Sequence, residues 1–390
     1  MHPSDVIPAW RPAGYSLDRN LKRVLVVRLD NIGDIVMLSP ALRSLRNYLP
    51  ESEITMLASP AGSQVAPLLP WVNDVIVWKA IWQEISANPT LNPERERSLV
   101  ERLEAHDFEA VIIFTSFSQS PYPPAYACYL AGIPIRLGHS KEFGGGLLSH
   151  CPEPLPDAAH QVDRNLALLG EAGIPVGSAD LELNIPPEFR EKASQILETV
   201  GLGPDAPFVL LAPGASCSAR RYDPGRFASV VRILATQTDL PQVIVGSPTE
   251  AGLLEPLTAL AHQCGLGQVK SVVGLTSVPE LAALIKRASL VIANNSASLH
   301  IADAFGRPMV ILYSGTELES QWRPRHAPAR LLRRYTPCSP CYAFECPYAM
   351  QCLDIPPEEV ASTALELLAN HLSASNQFVR GKEQLVVYGS

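Results

Sequence analysis

The stretch at 291–316, VIANNSASLHIADAFGRPMVILYSGT, constrains the fold more than any other part of the chain. Residues 290–293 form an apolar run that ends in a polar knot, Asn294-Asn295-Ser296. The spacing of Leu299, Ala302 and Phe305 predicts a short helix over 298–305, stopped by Gly306, and 308–313 reads as a second strand. The knot therefore lies at the carboxyl end of a strand and the amino end of a helix. Free backbone N–H groups and the helix dipole attract an anion there, typically a phosphate. Standing alone, the motif is better read as Asn295 or Ser296 capping the helix.

The same alternation fills the rest of the chain. Residues 23–29 (RVLVVRL) are a continuous apolar strand of the kind buried on both faces of a parallel sheet. Further strands are expected at 54–58, 74–78, 110–114 and 134–137, with helices at 35–48, 61–68, 94–105, 122–131 and 160–172. A Pro/Gly-rich stretch at 173–188 reads as a linker. Strands at 208–212, 242–246 and 270–273 then alternate with helices at 224–236, 250–262 and 277–288, and a final amphipathic helix spans 356–371. The prediction is an α/β chain with two Rossmann-like, doubly wound parallel-sheet domains, at 21–175 and 190–355, facing a central cleft. An irregular leader is expected at 1–20 and a helix with a loose tail at 356–390, the tail from 373.

Composition narrows the function classes. A length of 390 residues exceeds one ordinary domain, and 47% apolar with 18% charged residues fills two cores. A net charge of −8 argues against a nucleic-acid partner but leaves room for a local basic pocket. Residues 1–23 contain no apolar signal segment, and the charge-free run at 110–135 is broken by prolines. The expectation is a cytoplasmic protein, at most peripheral to the inner membrane. Cys128, Cys151, Cys217 and Cys264 are scattered and expected to be reduced. Cys338, Cys341, Cys346 and Cys352 follow C-x2-C-x4-C-x5-C, which reads either as packed or disulfide-prone thiols or as ligands of a structural metal.

Four loops carry candidate chemistry. In PGASCSARRYD, Gly214 and Ala215 let the backbone approach a ligand, Ser216 offers a hydroxyl, and Arg220 and Arg221 offer cations suited to phosphate. In GSPTE, Glu250 is either a ribose-binding carboxylate or a helix-start residue favoured by the dipole. In NNSASLH, His300 follows Ser296 by one turn and faces either the ligand or the core. In LDNIGD, Gly33 permits a sharp turn, and Asp34 is either a general base or a favourable helix-start carboxylate. Arg28, at the strand end before it, is suited to an anionic acceptor or to plain solvation. No Walker motif occurs, and no GxGxxG follows the first strand.

Together these segments resemble the heptosyltransferase-type glycosyltransferase family 9, of GT-B fold. The resemblance runs from about residue 23 to about residue 369, on RVLVVRLDNIGDIVMLSPALRSLR, AGIPIRLGHS, VDRNLALL, LLAPGASCSARRYD, VGSPTE and NNSASLHIADAFGRPMVILYSGT. It implies an inverting, metal-independent transfer of a heptose or related sugar from a nucleoside-diphosphate donor, ADP-linked or otherwise, to a lipopolysaccharide-type or other glycan acceptor, with no cofactor required. The 21–175 domain would bind the acceptor and the 190–355 domain the nucleotide sugar. Asp34 matches the proposed catalytic base. Arg220 stands where the family usually carries a donor-phosphate Lys, Ser216 matches a hydroxyl near the diphosphate, and Glu250 a ribose carboxylate. Asn295, Ser296, Ala297 and His300 match the donor-holding segment, with Asn295-Ser296-Ala297 where the family often has Asp-Thr/Ser-Gly. The rival readings are a non-catalytic GT-B-like binder of a nucleotide sugar or glycan, and a nucleotide-sugar epimerase.

Overall fold

The computed structural model describes residues 16–84, 90–116, 118–263 and 265–385, the last of these (372–385) as backbone. Most of the expected leader, Cys264 and the end of the expected tail lie outside the described residues. The chain divides into two compact units, one running to residue 184 with 319–323 added, the other comprising 185–318 and the chain from 324 on.

The first unit is built on a five-stranded sheet. Its strands are β1 (Arg23–Arg28), β2 (Glu53–Ala58), β3 (Asp74–Val77), β4 (Ala110–Ile113) and β5 (Ile135–Gly138), in the order β3-β2-β1-β4-β5. Every pairing is parallel. β1 is central, and Val24 to Val27 are at most 1% exposed. That is why the run is apolar without alternation, each buried Val or Leu stabilising the fold by about 1.5–3 kcal/mol. The chain winds from β1 outward to β3, then returns to β4 on the other side of β1. Strand-end loops part at this reversal and leave room for a ligand.

The second unit repeats the logic with six strands. They are β6 (Val209–Ala212), β7 (Gln242–Ile244), β8 (Val269–Ser271), β9 (Leu290–Asn294), β10 (Met309–Leu312) and β11 (Ala329–Leu332), in the order β11-β10-β9-β6-β7-β8, all parallel. Here the reversal lies between β6 and β9. The expectation of two doubly wound parallel sheets is met.

Local differences have local causes. The helix expected at 35–48 is two pieces, Ile32–Val36 and Ser39–Tyr48, because Pro40 begins a second helix in its first turn. The expected linker contains the start of a helix, Pro187–Thr199, with Pro187 at its first position and Ala193 and Leu197 as its buried residues. β11 is an edge strand of four partly exposed residues, ARLL, too short for a period to show. The last helix runs from Pro357 to Leu385, through the start of the expected loose tail, and no proline after Pro357 interrupts it. The described end of the leader is irregular but pinned. Leu17 is 1% exposed, its N–H donates to the Ala172 carbonyl at 2.9 Å, and Tyr48 Oη donates to the Leu17 carbonyl at 2.6 Å.

Candidate functional site

The second unit concentrates its polar groups where β6 and β9 end. Asn294 closes β9 and is fully buried. Its Oδ1 accepts the Tyr222 N–H at 3.0 Å and its Nδ2 donates to the Pro213 carbonyl at 2.6 Å. One amide thus ties both ends of the loop after β6 to the end of β9. Asn295 is buried too, and its Oδ1 accepts the Ser314 N–H at 3.1 Å. Its Nδ2 has no hydrogen-bond partner among the described residues. A buried amide donor left unpaired costs about 1–3 kcal/mol, so this one calls for an explanation.

Ser296 precedes the helix Ala297–Ala304 without capping it through its side chain. The first-turn N–H groups therefore keep their pull on an anion. His300 lies on this helix, 8% exposed. Gly306 ends it at φ +61, a conformation that favours glycine.

The loop after β6 supplies the cations. Arg220 pairs through Nη2 with Glu317, while its Nε is buried without a hydrogen-bond partner among the described residues. Arg221 braces the loop, donating Nε and Nη2 to the Ala215 carbonyl at 3.1 and 2.9 Å. Ser216 is exposed. Glu250 Oε2 accepts the Ser247 N–H at 2.9 Å and the Ser247 hydroxyl at 2.8 Å. Its other oxygen packs on Gly214, where a Cβ would lie 2.2 Å from Oε1. The loops after β6 and β7 are thus in contact, and a side chain at 214 would displace the Glu250 carboxylate. The expected donor segments at 213–221, 247–250 and 294–297 thus converge on the carboxyl end of one sheet.

Cys338, Cys341, Cys346 and Cys352 line a cavity of about 340 Å³ with Ala219 and Thr316 among its other walls. The strap that carries them is held by the Cys341 N–H on the Gly315 carbonyl at 3.1 Å and the Tyr342 N–H on the Thr316 carbonyl at 2.8 Å. All four thiols are free. Burial, then the neighbouring thiols, pushes the Cys352 thiol up. Among the described residues, no three His, Cys, Asp or Glu side chains are arranged to hold a metal ion.

In the first unit the polar groups sit where β1 and β4 end. Arg28 is the last residue of β1 and is entirely buried. Its Nη2 donates to Asp34 Oδ1 at 2.9 Å and to Ser116 Oγ at 3.0 Å. Its Nε lies 2.7 Å from Asp30 Oδ2, off the hydrogen-bond line. Arg28, expected to meet an anionic acceptor, is buried, and its Nη1 has no hydrogen-bond partner among the described residues. A charge can be buried only if paired, and this one is enclosed by two carboxylates of its own chain.

Asp34 sits in the first turn of Ile32–Val36, and its Oδ2 accepts the Asn31 N–H at 3.2 Å. Its side chain is 14% exposed, against 7% for Asp30 and none for Arg28, so Asp34 is the member of the group that reaches solvent. Burial, against the opposing pull of Arg28, pushes the Asp30 carboxyl up to about 6.

Several of these residues escape sequence reasoning. Asp30 lies inside a motif that singles out only Gly33 and Asp34. Glu317 is separated from Arg220 by almost a hundred residues. Asp303 accepts the backbone N–H groups of Arg325, His326 and Ala327 at 2.9–3.0 Å, a role with no sequence signature.

Comparison with known proteins fits this arrangement. The model of glycosyltransferase family 9 (heptosyltransferase) matches residues 96–351, which includes the donor-type loops and stops short of Asp34. Lipopolysaccharide heptosyltransferase 3 of Escherichia coli K12 is 25% identical over 297 residues, 75% of this chain and 82% of that protein. Among solved structures, the glycosyl transferase family 9 protein of Veillonella parvula superposes with a TM-score of 0.73 at 20% identity, over 91% of this chain and 99% of that one. The ADP-heptose lps heptosyltransferase II of E. coli gives 0.70 at 21%, over 89% and 99%. The match of the family model across well over half of its length, with the shared fold, establishes that this chain belongs to glycosyltransferase family 9, the heptosyltransferase family.

Proposed function

We propose that this chain is an inverting glycosyltransferase that moves a heptose or related sugar from an ADP-linked donor to a lipopolysaccharide-type glycan acceptor. The observation that carries the reading is the set of unsatisfied donors at the β6–β9 reversal: Asn295 Nδ2, Arg220 Nε and the amino end of Ala297–Ala304. Buried donors without partners suit an anionic ligand that arrives from outside. Glu250, packed on Gly214, is the carboxylate for the ribose, and His300 and Ser216 complete the donor side. The ADP assignment draws support from the relative whose donor is named as ADP-heptose.

In this reading the first unit binds the acceptor and Asp34 is the general base. Its carboxylate takes the proton from an acceptor hydroxyl as that oxygen attacks the anomeric carbon from the face opposite the diphosphate. The bond from the anomeric carbon to the phosphate oxygen breaks, and the nucleoside diphosphate leaves. Arg220 and the helix amino end take up the charge that develops on it, with no metal ion assigned a part. Among the described residues no helix is long and apolar enough to cross a membrane, and we place the protein on the cytoplasmic side, at most peripheral to the inner membrane.

The test is thermal stabilisation by ADP, UDP, GDP and CMP, with Arg220→Ala beside the parent protein. A ligand at about 100 times its dissociation constant adds about 2.7 kcal/mol, seen as a shift of a few degrees. We expect ADP to give the largest shift and Arg220→Ala to lose most of it. No shift with any nucleotide would remove the donor site from the second unit.

A further inference from the structure

At the reversal of the first sheet, four residues close a ring of three hydrogen bonds and one ion pair. Arg28 Nη2 donates to Ser116 Oγ at 3.0 Å, and the Ser116 N–H donates to Gln119 Oε1 at 3.0 Å. Gln119 Nε2 donates to Asp30 Oδ1, and Asp30 Oδ2 returns to Arg28 Nε at 2.7 Å. The ring links the ends of β1 and β4, the two strands between which the sheet reverses. Asp34 hangs from it by one bond, Arg28 Nη2 to Oδ1 at 2.9 Å. The Asp30 carbonyl is fixed as well, accepting the Ser59 hydroxyl at 2.5 Å.

Two anions and one cation would be a poor choice for stability alone, because each buried ion loses its hydration. Nor does Asp34 need Asp30 as a partner, since Arg28 reaches it directly. What Asp30 adds is a second anchor for the guanidinium and a charge that offsets it. An unopposed guanidinium beside Asp34 would favour the ionised carboxylate and so weaken it as a base.

We propose that Asp30 is a positioning residue for the transfer reaction: through Arg28 it fixes the orientation of Asp34 and moderates the cation beside it. This rests on the reading of Asp34 as the base. The carboxyl of Asp30, pushed up to about 6, makes the arrangement dependent on pH. The charged groups facing it are Arg28 on β1 and Asp34 on the following helix; Gln119 from the loop after β4 is neutral. Arg164, buried on the helix Gln161–Glu171, bears on Arg28 in turn. When Asp30 takes up a proton, Arg28 turns its charge on Asp34 alone, and turnover falls.

The experiment compares pH–rate profiles of the parent, Asp30→Asn, Gln119→Leu and Asp34→Asn, with thermal stability and ADP affinity measured for each. In Asp30→Asn we expect turnover to fall roughly tenfold at neutral pH, ADP affinity to stay within about twofold, and the acid limb near pH 6 to vanish. Gln119→Leu removes a hydrogen bond that, after Arg28, favours the ionised Asp30, so its acid limb should move upward. A purely structural Asp30 would lower stability and leave the limb where it is, and that result overturns the proposal. So does parental turnover in Asp30→Asn. Should Asp30→Asn fail to fold, Gln119→Leu decides alone: an upward limb supports the proposal, an unmoved one refutes it. Full activity in Asp34→Asn would instead remove the base itself. An inactive Asp34→Asn beside an unaltered Asp30→Asn would strike only the role given to Asp30.

Discussion

The two sheet reversals use opposite strategies. At the end of β1 the charges are paired with one another: Arg28 lies between Asp30 and Asp34, and Ser116 and Gln119 complete the circuit, leaving Arg28 Nη1 without a hydrogen-bond partner among the described residues. At the end of β9 donors are left open: Asn295 Nδ2 and Arg220 Nε are buried without hydrogen-bond partners among the described residues, and the Ser296 side chain does not cap the helix. A group that must move one proton gains from being fixed in advance. A pocket that must take in a charged ligand gains from unsatisfied donors, whose cost is relieved when the ligand arrives. Both arrangements lower stability in the empty protein. For Asp30 the sign is definite. Its carboxyl is raised above the usual 3.8 to about 6, so its penalty on folding is full above pH 6 and gone below about pH 4.

The sharpest way to break the contrast is Asp34→Ala. If the closed cluster does the proton transfer and the open one holds the donor, kcat should fall by roughly 10²–10⁴-fold while ADP affinity stays within about twofold. Calorimetry with ADP beside a turnover assay reads both quantities. Equal losses in both would mean that the two reversals are not functionally separate.

A smaller effect is expected from Asn294→Ala. This amide is structural, in contrast to its neighbour Asn295. Its loss leaves the Tyr222 N–H and the Pro213 carbonyl buried without partners, at about 1–3 kcal/mol each. Urea unfolding should show a destabilisation of about 2–4 kcal/mol. Donor affinity should drop as well, because the loop carrying Arg220 loses its tie to β9. Unchanged stability would mean that the loop after β6 holds its own shape.

The fold was legible because parallel strands buried on both faces leave uninterrupted apolar runs, as in RVLVVRL, and helices between them leave their own period. The donor-side loops were legible because glycine, arginine and helix-start residues cluster at strand ends. The base-side cluster was legible only in part. Asp34 stands out beside Gly33, but the burial of Arg28 depends on Ser116 and Gln119, which lie almost ninety residues on and carry no motif. A sequence shows that an arginine ends a strand. It does not show that the next strand's loop folds over it. Asp30 escaped for the same reason, since its proton affinity is set first by burial, which the sequence does not show, with Arg28 opposing the shift and Asp34 adding to it.

The finest distinction the comparison allows is within the open site, at Asn295. The family often has an aspartate there, and Asn295→Asp would restore it. The Oδ1 that accepts the Ser314 N–H would survive the change, so the backbone around the knot should hold, while the buried carboxylate without a partner should lower stability by about 1–3 kcal/mol. What disappears is the Nδ2 donor, replaced by an oxygen that cannot donate and carries charge. If that donor meets the departing diphosphate, the variant should bind ADP roughly tenfold more weakly, the cost of one charge-assisted hydrogen bond and an added repulsion. If ADP affinity is unchanged while discrimination among donor sugars shifts, Asn295 faces the sugar instead, and its departure from the family pattern marks the donor that this chain selects.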